Sequence, residues 1–138
     1  MNFDIFKKEN RIPVNLGKLV LRLTLGLTMM THGKGKLVDL FSGNPIEFPD
    51  PLGVGAATSL GLTVFAEFVC SALVAIGLLT RLSAVPVVIC MAVAFFVIHA
   101  ADPFGDREHA FIFMMGFLAI FLLGGGRYSI DNFILKKK

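Results

Sequence analysis

Long apolar runs, bounded by charged residues, glycine and proline, dominate the pattern of this chain. They cover approximately residues 14–32, 59–79, 82–101 and 108–124. A helix needs roughly 20 mostly apolar residues to cross a bilayer, and the third and fourth runs lack the strict alternation that marks a half-buried strand. The pattern therefore predicts an all-α fold, a polytopic membrane four-helix bundle in which residues 1–138 form a single membrane domain.

The composition agrees with a chain that lies largely in lipid. Of its 138 residues, 55% are hydrophobic and 17% are charged, whereas a typical soluble domain has about 25% charged residues. Membrane-crossing helices and their connections would use nearly the whole length. The composition therefore favours an integral membrane protein and leaves no room for a separate soluble catalytic domain within these residues.

Basic residues cluster beside the apolar runs. They are Lys7, Lys8, Arg11 and Lys18 at the first run, Arg81 between the second and third, and Arg127, Lys136, Lys137 and Lys138 after the fourth. Because positive charge beside membrane helices favours the cytoplasmic side, we expect both termini in the cytoplasm, an outer loop at residues 33–58, a cytoplasmic tail at residues 127–138, and a location in the inner (plasma) membrane. The net charge of +3 then reflects orientation and contact with anionic lipid, and nucleic acid is not an expected partner.

Glu67 stands out because it lies in the middle of the second apolar run. A carboxylate at that depth costs about 2.5 to 3.5 kcal/mol on insertion scales unless a partner, water or a proton compensates it. Glu67, Ser71 and Val74 follow helical steps of three and four residues, so this face is expected to point into the bundle.

Arg22 is the strongest partner that the spacing offers for Glu67. One face of the first helix carries Arg22, Gly26, Met29 and Gly33, and its small residues let another helix approach closely. Counted from the cytoplasmic end, Arg22 lies about 12 Å and Glu67 about 18 Å up their helices, a difference that a long guanidinium side chain can bridge. The sequence predicts a structural ion pair between Arg22 and Glu67, unless Arg22 extends to the inner surface instead.

A second interpretation of Glu67 places it in a polar pocket in the outer half of the membrane. The predicted topology brings His32, His99 and Glu108 to the outer side, and Glu67 lies about 12 Å deep from that side. Such a pocket is suited to relaying protons or to hydrogen-bonding a small redox-active ligand such as a quinone. In this interpretation the candidate catalytic residues are Glu67, His32 and His99.

Metal binding, haem binding and a disulfide are less consistent with the spacing. The competent metal ligands are His32, His99, His109, Glu67 and Glu108. None of them forms an H-x-x-x-H or H-E-x-x-H pattern, and Lys34 and Lys36 oppose a cation, so no metal site is expected. Cys70 and Cys90 fall inside apolar runs, where a thiol packs as a small hydrophobic group.

Several short motifs occur in an order and spacing known from one family. The first are Arg22-Leu23-Thr24-Leu25-Gly26-Leu27 and His32-Gly33 followed by Lys36-Leu37. The others are Glu67, Gly77-Leu78-Leu79-Thr80-Arg81, Met91, His99, Glu108 and Gly124-Gly125-Gly126-Arg127-Tyr128-Ser129-Ile130-Asp131. Over about residues 22–131 the chain resembles the DoxX family of small four-helix membrane proteins, which close with a Gly-x-Gly-Arg-Tyr-Ser-x-Asp pattern.

The resemblance implies a link to membrane redox chemistry. The family takes its name from a subunit of an archaeal membrane enzyme that moves electrons from thiosulfate to quinone, and other members are linked to oxidoreductase complexes or to resistance against thiol oxidants. Members usually carry the same residue types at the positions of His32, Lys36, Glu67, His99, Glu108 and Arg127. The first five of these are the ligand pocket that the resemblance implies.

The expected function is that of a subunit or accessory of a quinone-linked membrane oxidoreductase, with quinone as a non-covalent ligand. The chain has no CxxC, dinucleotide fingerprint or iron-sulfur spacing, so a redox partner subunit is expected, and whether the chain is itself an enzyme stays open. The alternatives are a non-catalytic scaffold that stabilises a membrane complex, and a small transporter or lipid-handling protein that uses the same cavity.

Overall fold

Helices form all the regular secondary structure of residues 11–136, the part of the chain that the computed structural model describes. They are α1 Arg11–Phe41, α2 Ala56–Ile76, α3 Thr80–Ile98, α4 Phe104–Leu123 and α5 Ile130–Leu135. The predicted all-α class is confirmed for these residues. Lys7, Lys8, Lys137 and Lys138, on which the predicted orientation partly rests, lie outside them.

The four long helices pack on one another in sequence order. Helix α1 contacts α2 and α4, and α3 contacts the same two helices. Among the described residues, only α2 and α3 are long and apolar enough to cross a membrane by length and composition alone. Helix α1 carries Lys18 and Arg22 within its apolar stretch, and α4 begins with charged residues at 106–108.

Helix α1 continues well past the predicted end of the first span. It runs to Phe41. Both ends of the predicted outer loop at residues 33–58 are therefore helical, and only residues 42–55 have irregular backbone. The sequence suggested an end at Gly33 because glycine is a weak helix former. Gly33 instead packs directly on α2, where an added Cβ would lie 2.8 Å from the Phe68 backbone nitrogen, and this close contact requires glycine within the helix.

The two interior faces that the spacing predicted are confirmed by burial. On α1, Arg22, Gly26, Met29 and Gly33 are all buried. On α2, the buried face contains Glu67, Ser71 and Val74. These two faces meet, because an added Cβ at Gly26 would lie 2.9 Å from the Ser71 carbonyl oxygen. The helices therefore pack through small residues at close range.

Helices α2 and α3 each contain a turn of π-helix. In α2 it spans Phe65–Cys70 and includes Glu67, and in α3 it spans Ala94–Ile98 at the end of the helix. The Ser71 hydroxyl donates to the Ala66 carbonyl, five residues earlier, at 3.3 Å. Such turns insert an extra residue and are frequent at functional sites.

Helix α5 packs on the end of the molecule where α2 turns into α3. Asp131 accepts hydrogen bonds from the backbone nitrogens of Leu79 at 2.7 Å and Thr80 at 2.8 Å, and from the Thr80 hydroxyl at 2.7 Å. The first turn of α3 has no hydrogen bond from a neighbouring N-cap side chain. The Asp131 carboxylate of α5 instead accepts hydrogen bonds from backbone amides that have no partner within α3. Ser129 caps α5 through the Asn132 amide.

Candidate functional site

Glu67 forms a buried ion pair with Lys36. The Lys36 ammonium donates to both carboxylate oxygens, at 2.7 Å and 2.6 Å. Glu67 is only 2% exposed, whereas 32% of the Lys36 side chain is exposed. The ion pair joins α1 to the π-helical turn of α2 and compensates the carboxylate for its burial.

The predicted ion pair between Arg22 and Glu67 is wrong. The Arg22 guanidinium donates to the carbonyl oxygens of Tyr128 at 2.6 Å, Ala75 at 3.4 Å and Val74 at 3.5 Å. It is 1% exposed and lies against Gly77, where an added Cβ would overlap its Nη1 atom. Arg22 therefore binds the end of α2 and the segment before α5, and it has a structural role there.

The antiparallel register of α1 and α2 explains why Glu67 pairs with Lys36 rather than with Arg22. Gly33 packs on the backbone of Glu67 and Phe68, and Gly26 packs on Ser71. Lys36, one turn beyond Gly33, is thus close enough for its long side chain to reach Glu67. Arg22, one turn before Gly26, lies level with the end of α2, which is about 15 Å from Glu67 at 1.5 Å per residue.

A cavity of about 530 Å³ lies between α2, α3 and the loop at residues 42–55. Its polar lining residues are Lys36, Ser59, Thr63, Glu67, Cys90 and His99. Its apolar lining residues are Phe48, Pro49, Pro51, Leu52, Leu62, Phe65, Ala66, Pro86, Ile89, Val93, Ala94 and Ile98. This volume and this mostly apolar wall are typical of sites that bind small organic molecules.

Three of the five predicted pocket residues border this cavity, and two do not. Lys36, Glu67 and His99 line it. His32 is exposed on α1, and its ring makes a T-shaped contact with Phe113 of α4, with the ring centroids 5.7 Å apart. Glu108 is exposed on α4. The placement of His32 and Glu108 in the pocket is therefore wrong, because Lys36 is the one residue of α1 that lines the cavity and no residue of α4 does.

His99 lies at the edge of the cavity, directly after the π-helical turn of α3. Its Nδ1 atom lies 2.6 Å from a carboxylate oxygen of Asp102, and both side chains are partly exposed. A carboxylate at this distance fixes the orientation of the imidazole ring. Asp102 was not predicted from the sequence, although a His-x-x-Asp spacing after a helix was a signal for it.

The loop over the cavity is organised by Asp50. One carboxylate oxygen accepts from the Val54 amide at 2.9 Å and the Ser59 hydroxyl at 2.8 Å, and the other accepts from the Gly55 amide at 2.8 Å. The hydrogen bond from Ser59, followed by that from Gly55, lowers the pKa of Asp50 below its ordinary value. The neighbouring residues Phe48–Leu52 therefore meet the cavity in a defined shape, which the sequence did not predict.

The two cysteines are both free thiols. Cys70 is buried in the core, and Cys90 is half-buried and lines the cavity. Arg127, the remaining position carried over from the family, is exposed and donates its backbone N–H to the Asn15 side chain at 2.8 Å. Within residues 11–136, no three His, Cys, Asp or Glu side chains are grouped as metal ligands would be.

Comparison with known proteins identifies the family. The sequence model of the DoxX family matches residues 17–100. This chain belongs to the DoxX family. It is also 30% identical to the uncharacterized membrane protein Rv3486 of Mycobacterium tuberculosis, over 86% of this chain and 82% of that protein. No solved structure matches the chain. The match covers Lys36, Glu67 and His99, so the cavity lies within the part of this membrane protein that defines the family.

Proposed function

We propose that this DoxX protein is a membrane subunit or accessory of a quinone-linked oxidoreductase, and that the cavity between α2 and α3 binds the quinone. The observation that carries this proposal is the Lys36–Glu67 ion pair, which is the charged group in an otherwise mostly apolar wall. An ion pair that only joined two helices would not need a cavity beside it. A bound ligand would use both the apolar wall and the pair.

The pair offers the two kinds of hydrogen bond that a quinone head group needs. The Lys36 ammonium can donate to a quinone carbonyl oxygen, and the Glu67 carboxylate can accept from a quinol hydroxyl. Together the two groups carry no net charge. A neutral head group can therefore bind to both a donor and an acceptor without facing an uncompensated buried charge. His99, held by Asp102 at the edge, is placed to exchange protons with the surroundings.

The proposal includes a location and a partner. The four long helices cross the inner (plasma) membrane as a bundle with both termini in the cytoplasm, and the cavity then lies in the outer half of the bilayer. The basic residues beside the helix ends support this orientation. The electrons pass to or from a partner subunit that carries a redox cofactor, because the chain has no motif for one.

The test removes the charges at the cavity and measures quinone binding. We expect Glu67→Gln to weaken equilibrium binding of decylplastoquinone to the detergent-solubilised protein by about tenfold or more, equivalent to about 1.4 kcal/mol. The double variant Lys36→Met with Glu67→Met should fold, because apolar residues of similar volume often replace a buried ion pair without loss of stability. It should nevertheless lose the same affinity.

Asp131→Asn provides the matched control for this test. It also removes one carboxylate charge, but at the α2–α3 turn, where Asp131 does not border the quinone cavity. We expect it to lower thermal stability and to leave quinone affinity unchanged. Unchanged affinity in both Glu67→Gln and the double methionine variant would contradict the proposed function.

A second candidate function is a non-catalytic component that stabilises a membrane complex. One observation favours it, namely that the Lys36–Glu67 pair links α1 directly to α2, as a purely structural pair would. In this case Glu67→Gln lowers the melting temperature, while no quinone binds to the unaltered protein. The same two measurements therefore separate the candidates.

A further inference from the structure

We infer that the cavity takes its ligand sideways from the bilayer, through a portal between α2 and α3 formed by Leu62, Phe65 and Ile89. The ligand class follows from this route: a molecule with a polar head and a long apolar chain, whose chain remains in the portal while the head lies on the Lys36–Glu67 pair. This inference rests on the proposed function, since it specifies how the same cavity is filled and by which quinones.

The cavity has one polar wall and one apolar wall that faces outward. Glu67 is 2% exposed and forms the inner wall. Leu62 and Ile89 also line the cavity, but they are 54% and 58% exposed. A side chain that lines a cavity and is also half-exposed lies at its opening. The opening between α2 and α3 is therefore apolar.

The helices at this opening are those with the strongest membrane character. Among the described residues, α2 and α3 alone are apolar and long enough to span a bilayer, and only 28% of the apolar stretch of α3 is buried by the rest of the protein. The exposed surface of these helices is thus the surface that meets lipid chains. An opening in it leads to acyl chains rather than to water.

Both helices depart from regular α-helix where they border the cavity. The π-helical turn of α2 contributes Phe65 and Glu67, and that of α3 contributes Ala94 and Ile98. Pro86, also in the wall, lacks the N–H that would bond within α3. These irregularities occur on both sides of one opening, as expected for a site where two helices separate to admit a ligand.

The first experiment compares two quinones that share a methylated benzoquinone head. Decylplastoquinone carries a long alkyl tail and duroquinone carries none. We expect Ile89→Trp and Leu62→Trp, which narrow the portal, to weaken binding of decylplastoquinone by about tenfold, or 1.4 kcal/mol, and to change duroquinone binding by less than about twofold. The control Ile112→Trp makes the same substitution at an exposed position of α4 away from the cavity, and both quinones should bind it normally.

The outcomes distinguish this inference from the proposed function. Equal weakening of both quinones, or of neither, by the two portal variants overturns the portal while leaving quinone binding intact. Failure of the unaltered protein to bind either quinone overturns the proposed function, and the portal is then judged by a second measurement.

That measurement uses the absence of tryptophan from the chain. A single Val93→Trp substitution places a fluorophore on the half-buried cavity wall, and lipids with brominated acyl chains quench tryptophan that they contact. We expect quenching close to that of Ile112→Trp on the lipid surface, and far greater than that of Phe117→Trp in the closed core, where Phe117 is fully buried. Quenching of Val93→Trp as weak as that of Phe117→Trp would show the cavity closed to lipid.

Discussion

At the scale of single residues, four charged side chains between the helices have two different tasks. Lys36 and Glu67 compensate each other beside a cavity. Arg22 and Asp131 bind backbone groups instead, and they hold the end of α2, the start of α3 and the segment before α5 together. The first two charged residues thus belong to the candidate ligand site, whereas the other two hold helix ends together.

Asp131 is expected to contribute measurably to stability. The two carboxylate oxygens of Asp131 accept three hydrogen bonds. Asp131→Asn removes the charge and replaces one of these acceptor oxygens with a donor, so the free energy of unfolding should fall by about 1–3 kcal/mol. The measurement is the midpoint of thermal unfolding in detergent. The control Asp39→Asn changes an exposed carboxylate on α1 and should stay within about 0.5 kcal/mol.

The contribution of Asp131 should also depend on pH. Burial alone would raise its pKa, but the hydrogen bonds from Thr80 and Leu79 and the charge of Arg22 together lower the pKa below its ordinary value. Because the folded-state pKa is lowered, the stabilisation is fully present above the ordinary value of about 3.9 and is lost as pH falls through the lower folded value. If Asp131→Asn and the unaltered protein lose stability in parallel below pH 4, this assignment is wrong.

The sequence predicted the unusual residue of the site but not its partner. Glu67 was identifiable because its position in an apolar run demands compensation. The choice between Arg22 and Lys36 depends on the register of α1 against α2, which close packing at Gly26 and Gly33 sets. His32 was misplaced for a related reason, since sequence spacing gives the height of a residue but not which neighbouring helix it faces.

At the scale of helices, the contact of α1 with α2 beside the Lys36–Glu67 pair depends on the small size of Gly33. A Cβ at Gly33 would lie 2.8 Å from the Phe68 nitrogen and 2.9 Å from the Glu67 carbonyl carbon. Both are backbone atoms, which cannot move aside as a flexible side chain can. The position of Lys36 relative to Glu67 therefore depends on a glycine one turn away.

Gly33→Ala should destabilise the protein and weaken the Lys36–Glu67 contact. Forcing a methyl group into a packed contact typically costs about 1–3 kcal/mol, measured as a lower melting temperature. The control is Gly35→Ala in the same helix, where an added Cβ meets nothing within 4 Å. It should be neutral or stabilising by up to about 1 kcal/mol, since alanine favours helix over glycine. Equal effects of the two substitutions would contradict the proposed role of Gly33.

The helices themselves were largely predictable, whereas their ends and irregular turns were not. Apolar runs located α2, α3 and α4 to within a few residues. The extension of α1 to Phe41 was missed because glycine and lysine at 33–36 resemble a helix end until packing is known. The π-helical turns differ from α-helix by one inserted residue, and no residue pattern marks them.

At the scale of the whole molecule, the two ends differ in construction. At one end, Asp131 bonds α5 to the α2–α3 turn, and Arg22 joins the segment before α5 to the end of α2. An open cavity of about 1000 Å³ lies beside these contacts. The other end carries the quinone cavity, the loop held by Asp50 and the partly exposed His99–Asp102 pair. If the basic residues face the cytoplasm as proposed, the α5 end is cytoplasmic and the end with the quinone cavity faces outward.

This orientation can be tested with single cysteines in a Cys70→Ala and Cys90→Ala background. A membrane-impermeant maleimide applied to intact cells should label Glu47→Cys, in the exposed loop over the cavity, and should label Lys136→Cys, after α5, only once the cells are lysed. The physical reason is the retention of lysine and arginine on the cytoplasmic side during insertion. Labelling of Lys136→Cys in intact cells with protection of Glu47→Cys would reverse the orientation, and the quinone cavity would then lie in the cytoplasmic half of the membrane.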